Sequence, residues 1–321
     1  MRRDDFLRTA GAGTAAAALA PRGSFAQAPV PLRVMVVPND DVSPLLYAQQ
    51  SGLFRRAGLD VTVERASTGN AIAAALVSGS YDIGLVSLMA LITGHARGIP
   101  FVMIAPSLMY LTEDPAAVLV VLKDSPVRSV RDLGGKVLSV AAIKGVDWVA
   151  LHGFAEQAGI DAETFKYVEL PMSAIPAALE QRRIEAGTLT NPSLEEALAT
   201  GKFRAIGKPF DGIAKRWMIA AYSTTADTLA KNRDAMDRFA TVMRTATLYA
   251  NAHHAETAPL IAAFTGIETA QVLAMKRTTC GEYLDPREIQ PAIDASAKYK
   301  AIDKTFPAQE LLSPYAIKPP R

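Results

Sequence analysis

The sequence predicts an α/β protein built from two lobes, and three features of its 321 residues indicate this. Half of the residues are apolar and 21% are charged, which is typical of a globular chain with sizeable cores. Short apolar runs alternate with longer helical segments, as they do in βα units on a mostly parallel sheet. The alternation pauses after residue 105 and restarts near residue 137, so two separate sheets are expected.

The elements follow from this alternation and from local start and stop signals. The Ser43-Pro44 pair marks a helix start, and Gly58 marks the end of that helix. The predicted helices cover residues 43–57, 70–79, 88–97, 147–157, 173–181 and 192–199. The predicted strands cover residues 32–37, 61–66, 82–86, 101–105, 118–122, 137–141, 165–169, 185–189 and 218–222. From residue 226 onwards the pattern is almost wholly helical.

The helical tail decides how the lobes are connected. A segment without strands must bury its apolar face on an existing sheet, and the first lobe is the nearest partner. The predicted first lobe is therefore discontinuous, formed by residues 32–115 and 223–321, and residues 116–222 form the second lobe. Two chain crossings between the lobes make a hinge.

The N-terminal residues have the layout of a signal peptide, predicted to cover residues 1–26. Arg2, Arg3 and Arg8 precede an uncharged run over residues 9–21 that is too short to span a bilayer. Export by the Sec or the twin-arginine route would place the protein in the periplasm; the alternative is an uncleaved apolar helix. Cleavage would remove four Arg and two Asp, so the formal charge falls from +2 to zero. A neutral chain without a basic run has no electrostatic basis for binding nucleic acid.

Four segments form a recognisable series, namely residues 44–54 (PLLYAQQSGLF), 58–61 (GLDV), 73–84 (AAALVSGSYDIG) and 129–136 (SVRDLGGK). In this order and spacing they resemble the type II periplasmic binding proteins of the NMT1/THI5-like group, which includes sulfonate, nitrate and thiamine-pyrimidine proteins and has its ligand cleft between the lobes. The resemblance implies the extracytoplasmic solute-binding component of an ABC importer. It also implies a monomer that closes on a small organic ligand and delivers it to a membrane permease.

Ligands of open α/β sheets lie beyond the carboxyl ends of the strands, and this rule selects the candidate ligand-binding residues. They are Asn39, Asp41, Ser67, Thr68, Asn70, Ser87, Lys144, Gly145, Trp148 and Asn191. Helix N-termini or Lys144 could hold an acidic group of the ligand. Ordinary capping explains the 67–70 segment equally well, Lys144 could be a solvated loop residue, and Trp148 could belong to the core.

No enzyme signature is convincing, so no catalytic residue, metal or cofactor is expected. The GAGTAA run at residues 11–16 lies in the predicted signal peptide without a preceding strand, so it does not indicate a dinucleotide site. Cys280 is the only cysteine and excludes an intrachain disulfide. Two alternatives stay open, namely an enzyme of the pyrimidine-synthase type found in the same superfamily and an exported sensor-input domain.

Overall fold

The computed structural model describes residues 28–115, 117–191, 193–314 and 316, and the predicted signal peptide lies outside these ranges. The strands are β1 Val30–Val36, β2 Leu59–Arg65, β3 Ile83–Ser87, β4 Phe101–Pro106, β5 Met109–Leu111, β6 Ala117–Leu122, β7 Val137–Val140, β8 Lys166–Glu169, β9 Ala186–Thr190, β10 Phe203–Gly207, β11 Arg216–Met218 and β12 Ala220–Thr225. The longer helices are α1 Ser43–Gln50, α2 Leu53–Arg56, α3 Gly69–Val77, α4 Leu88–Ala96, α5 Val146–Gln157, α6 Ile175–Glu180, α7 Ser193–Ala199, α8 Ala226–Lys231, α9 Arg233–Ala252, α10 His254–Thr265, α11 Thr269–Ala274 and α12 Pro286–Lys298.

Two five-stranded sheets confirm the two-lobed α/β prediction. The first sheet has the order β2-β1-β3-β12-β4, and the second has the order β10-β6-β9-β7-β8. In the first sheet β1 pairs in parallel with β2 and β3, and its apolar side chains Leu32, Val34 and Val36 are fully buried. Burial alternates along β1, with Pro31 and Arg33 exposed between the buried residues, so one face of the strand packs against the core.

A two-stranded ribbon connects the lobes. Strands β5 and β11 pair antiparallel, and they follow β4 and precede β12 along the chain. The ribbon therefore holds both crossings between the sheets. Strand β12 pairs with β3 and β4, so the chain returns to the first sheet at Ala220, slightly before the return near residue 223 that the sequence indicated.

The tail differs from the helical prediction in one segment. Helices α10, α11 and α12 are present, but residues 275–285 form an extended loop between α11 and α12. Its backbone bonds to the chain beside β5, through Met109 N to Thr279 O at 3.0 Å and Gly281 N to Ser107 O at 2.7 Å. The loop stays extended because its backbone groups form hydrogen bonds with the backbone of Ser107 and Met109 instead of with each other.

The helix predicted over residues 43–57 is interrupted at Gly52, which separates α1 from α2. Gly52 has a φ of 73°, in the left-handed region that glycine adopts without strain. Among the described residues, no helix is both long and apolar enough to cross a membrane.

A candidate ligand-binding cavity between the lobes

A cavity of about 320 Å³ lies between the two sheets, at the carboxyl ends of β1, β7 and β9. The first lobe contributes the segment after β1 and the loop at residues 275–279. The second lobe contributes the start of α5 and the end of β9. The lining residues are Pro38, Asn39, Asp40, Asp41, Leu108, Met109, Leu111, Asp114, Pro115, Ala141, Val146, Asp147, Met172, Thr188, Thr190, Asn191, Phe210, Ile219, Ile261, Thr265, Ile267, Met275, Lys276, Arg277, Thr278 and Thr279.

A buried ion pair between Asp40 and Arg277 builds the first-lobe wall. Arg277 Nε donates to Asp40 Oδ1 at 2.6 Å, and the two side chains are only 6% and 8% exposed. Asp40 Oδ2 accepts from the backbone N and the Oγ1 of Thr278, at 2.7 and 3.0 Å. Arg277 also donates to the backbone oxygen of His254 at 2.7 Å. The pair therefore joins the end of β1 to the 275–285 loop and to the start of α10.

The neighbouring carboxyl of Asp41 has no such partner. Asp41 is 6% exposed and lines the cavity, and its Oδ1 has no hydrogen-bond partner among the described residues. Burial, and then the charge of Asp40, raise the pKa of Asp41 to about 7. Tyr222 and Cys280 lie nearby, and burial raises the pKa of each well above its usual value. Of Asp41, Tyr222 and Cys280, Asp41 is therefore the group that changes charge near neutral pH.

The second-lobe wall combines a satisfied carboxylate with two unsatisfied oxygens. Asp147 accepts from the backbone N of Ala141 at 2.6 Å and from that of Trp148 at 3.0 Å, while burial raises its pKa. Thr188 Oγ1 and Asn191 Oδ1 are buried and have no partner among the described residues. Buried polar atoms are normally paired, so these two atoms are candidates for contact with a ligand.

Glu195 connects the two walls across the cleft. Its Oε1 accepts from the backbone N of Lys276 in the first lobe at 3.0 Å and from Asn191 Nδ2 in the second lobe at 3.1 Å. Lys276 Nζ forms an ion pair with Asp114. The loop at residues 275–279 thus contacts both the ribbon segment and the second lobe.

Three of the ten predicted site residues line the cavity, namely Asn39, Asp41 and Asn191. Gly145 and Trp148 flank lining residues, Gly145 as the N-cap of α5 and Trp148 in the second-lobe core. Lys144 is exposed, has a φ of 63° and does not line the cavity.

The remaining four candidates follow β2 and β3 on the exposed surface, outside the cavity. Thr68 Oγ1 accepts from Ala71 N, and Ser87 Oγ accepts from Ala90 N, so both cap helices. Ser67 and Asn70 are exposed beside Thr68. Helix capping therefore explains the polar residues of the 67–70 segment, which is one of the two alternatives that the sequence left open.

Lys276, Arg277 and Thr278 were not among the predicted site residues, because the helical pattern of the tail did not indicate a loop there. The Asp285-Pro286 pair in the sequence does indicate where this loop ends, because it is typical of a helix start. In the structure Asp285 caps α12 by accepting a hydrogen bond from Arg287 N, and Pro286 is the first helical residue. A helix that starts at residue 286 leaves the β-branched Thr278 and Thr279 outside it. No local pattern, however, pairs Arg277 with a residue 237 positions away.

Comparison with known proteins identifies the family. A family model described as NMT1/THI5 like matches residues 39–257, about two thirds of the chain. The chain belongs to this family. A curated relative, the 4-amino-5-hydroxymethyl-2-methylpyrimidine phosphate synthase of Schizosaccharomyces pombe, is 24% identical over 136 residues, which are 42% of this chain. The chain matches about two fifths of the length of its curated relatives.

Solved structures show that this NMT1/THI5-like chain has the periplasmic binding protein fold. The periplasmic aliphatic sulphonate binding protein SsuA of Escherichia coli is 18% identical, with a TM-score of 0.73, over 88% of this chain and 97% of that protein. A Candida albicans protein described as having the generic periplasmic binding protein structural fold is 16% identical, with a TM-score of 0.69, over 89% and 96%. The resemblance of sequence segments to this fold is thereby confirmed.

Removing the charge of Asp40 and removing that of Asp41 should change the free energy of unfolding in opposite directions. A carboxyl with a raised pKa binds its proton more tightly in the folded state, so the contribution of Asp41 to stability falls as the pH rises from about 4 to about 7. We expect Asp41→Asn to raise the free energy of unfolding at pH 8 by about 2 to 4 kcal/mol and to change it little at pH 4. Urea unfolding at the two pH values measures this difference.

Asp40→Asn is the matched control. It leaves the buried guanidinium of Arg277 without its counter-ion, which should lower the free energy of unfolding at pH 8 by on the order of 3 kcal/mol. Equal destabilisation by both substitutions would contradict the assignment of Asp41 as the unpaired carboxyl.

Proposed function

We propose that this protein is the extracytoplasmic solute-binding component of an ABC importer. It captures a small organic molecule in the interlobe cavity and presents the closed form to a membrane permease. The observation that carries this proposal is the cavity itself, which both lobes line and which contains buried, unpartnered oxygens from each lobe, at Asp41, Thr188 and Asn191. A cavity of about 320 Å³ lies in the size range of small-molecule sites.

The connection between the lobes supports capture by closure. The β5–β11 ribbon carries both crossings, so rotation about it would separate the walls without disrupting either sheet. A ligand that contacts both walls binds the closed form better than the open form and shifts the population towards it. The structural relatives named for sulphonate binding have the same fold and agree with this role.

We propose that the cavity binds its ligand without converting it chemically. Cys280 is buried with its thiol pKa well above the usual value, so it is a poor nucleophile. Within the described ranges, no group of three or more His, Cys, Asp or Glu side chains is placed to hold a metal ion. The curated relatives named as pyrimidine phosphate synthases make an enzyme the second candidate, since they align with part of this chain.

The Glu195 bridge predicts how the lobe equilibrium responds to mutation. Glu195→Ala removes an acceptor that joins the Lys276 backbone to Asn191, so the open form should gain about tenfold in population, equivalent to about 1.4 kcal/mol. Small-angle X-ray scattering of the purified protein should then give a larger radius of gyration. Glu196→Ala, an exposed neighbour on α7, should leave the radius unchanged. An identical scattering curve for wild type and Glu195→Ala would show that this bridge does not hold the lobes together.

A thermal-unfolding screen tests the proposed function. The compounds are sulfonates, carboxylates, nitrate, amines and pyrimidines, and a ligand at 100 times its Kd adds about 2.7 kcal/mol, visible as a rise in Tm of about 2 °C or more. Thr188→Val should weaken binding of the compound found by about tenfold, because it removes a buried hydroxyl of the cavity. Ser139→Ala is the control, since it removes an equally unpartnered buried hydroxyl of the same sheet outside the cavity.

Two results would contradict the proposal. One is chemical conversion of a screened compound, which would favour the enzyme. The other is the absence of a Tm shift with every class.

A further inference from the structure

The charges on the cavity walls select against an anion. Two cationic side chains line the cavity, and each already has an acidic partner: Lys276 pairs with Asp114, and Arg277 pairs with Asp40. Among the described lining residues, Asp41 and Asp147 are therefore carboxyls without a cationic partner. Lys144, the cation that the sequence offered for an acidic ligand, does not line the cavity. An anionic ligand would meet unpaired charge of its own sign, which is costly in a desolvated site.

Asp41 is the one of these two carboxyls with an oxygen, Oδ1, that has no hydrogen-bond partner among the described residues. Asp147 is satisfied by the backbone N–H groups of Ala141 and Trp148. The N–H of Ala141 follows β7, and the N–H of Trp148 lies in the first turn of α5, so Asp147 already uses one of the N–H groups that this helix start could offer to an acidic ligand. Asp41 is as buried as its neighbour Asp40 but lacks the counter-ion that Asp40 has. A buried carboxylate is strongly stabilised by a positive charge placed beside it.

The second lobe offers two more acceptors. Asn191 Nδ2 donates to Glu195, which orients the side chain so that Oδ1 is the unpartnered atom. Thr188 Oγ1 is likewise unpartnered and lies on the same wall. Together with Asp41 Oδ1, the two walls present three oxygens that can each accept a hydrogen bond. A primary ammonium carries three N–H donors, and an amidinium carries four, whereas sulfonates and nitrate carry none.

The rest of the lining is mostly apolar. Leu108, Met109, Phe210 and Ile219 lie towards the ribbon, and Met172 and Met275 face the cavity from opposite lobes. The volume of about 320 Å³ corresponds to about ten water molecules. The cavity therefore suits a compact apolar body attached to the donor group.

Resting on the proposed solute-binding role, we propose that the cavity takes an organic cation rich in N–H donors, a protonated amine or amidine on an apolar body. Asp41 is its counter-ion, and Thr188 and Asn191 accept hydrogen bonds from it across the cleft. Ligand recognition and closure are then one event, because the cation contacts Asp41 in the first lobe and the two acceptors in the second.

The proposal carries a pH dependence. The groups around Asp41 are Asp40 and Arg277, which are paired, and Tyr222 and Cys280, whose raised pKa values keep them protonated between pH 5 and 8. Behind the ion pair lies His254 of α10, and burial and the charge of Arg277 lower the pKa of its imidazole. The pKa of Asp41 lies at about 7, so its carboxylate forms in this range. Across the cavity, Asp147 is held by backbone N–H groups. A cation should therefore bind at least tenfold more tightly at pH 8 than at pH 5.

Titration calorimetry on two sets of equal shape tests the proposal. One set is benzamidine, benzamide and benzoate; the other is 2-phenylethylamine, 2-phenylethanol and phenylacetate. We expect the cation of each set to bind at least tenfold more tightly than its neutral and anionic counterparts at pH 8. Benzyltrimethylammonium, a cation without N–H donors, should bind at least fivefold more weakly than 2-phenylethylamine. Asp41→Asn should remove both the preference for cations and the pH dependence, while Glu196→Gln, which removes a carboxylate outside the cavity, should preserve both.

The outcomes separate this inference from the proposed function. Binding of a neutral or anionic member in preference to the cation would overturn the inference and leave solute binding in place. Retention of cation preference by Asp41→Asn would also overturn it. Failure of every member to bind would contradict the inference, and it would contradict the proposed function only if the broader thermal screen also found no ligand.

Discussion

The buried ion pair between Asp40 and Arg277 is the contact on which the architecture of the cavity depends. It joins the end of β1 to a loop 237 positions later in the chain, and Thr278 completes the coordination of the carboxylate. A buried pair of this kind is not by itself a source of large stability, but breaking it leaves an uncompensated charge. Its main consequence is geometric, since it places the 275–285 loop as a wall opposite the second lobe.

The same pairing leaves Asp41 alone, because its neighbour uses the available guanidinium. At the end of β1 the cavity thus has two adjacent carboxyls in different states: Asp40 has a buried counter-ion and Asp41 has none. Unsatisfied buried groups are costly to the free protein. That cost is the physical reason to assign Asp41 to ligand recognition, since a binding site retains groups that only its ligand can satisfy.

Most of the fold could be predicted from the sequence, but only part of the candidate site could. Strand and helix periodicity located both sheets because β1 to β4 and β6 to β9 are apolar runs bounded by turn residues. The short ribbon strands β5 and β11 carry too few residues for a pattern, and they were missed. The rule that ligands lie beyond strand ends found Asn39, Asp41 and Asn191. It also selected Thr68 and Ser87, which cap helices, and it could not reveal Arg277, whose partner is set by tertiary contact alone.

Native mass spectrometry of the protein purified gently from its own host tests the central claim most directly, because it asks which molecule fills the cavity in the cell. We expect one small organic molecule per chain that carries a basic nitrogen and an apolar body, and we expect Asp41→Asn to lose it. A bound sulfonate or carboxylate would contradict the assignment of Asp41 as counter-ion, and an adduct retained in Asp41→Asn would place the ligand outside this cavity.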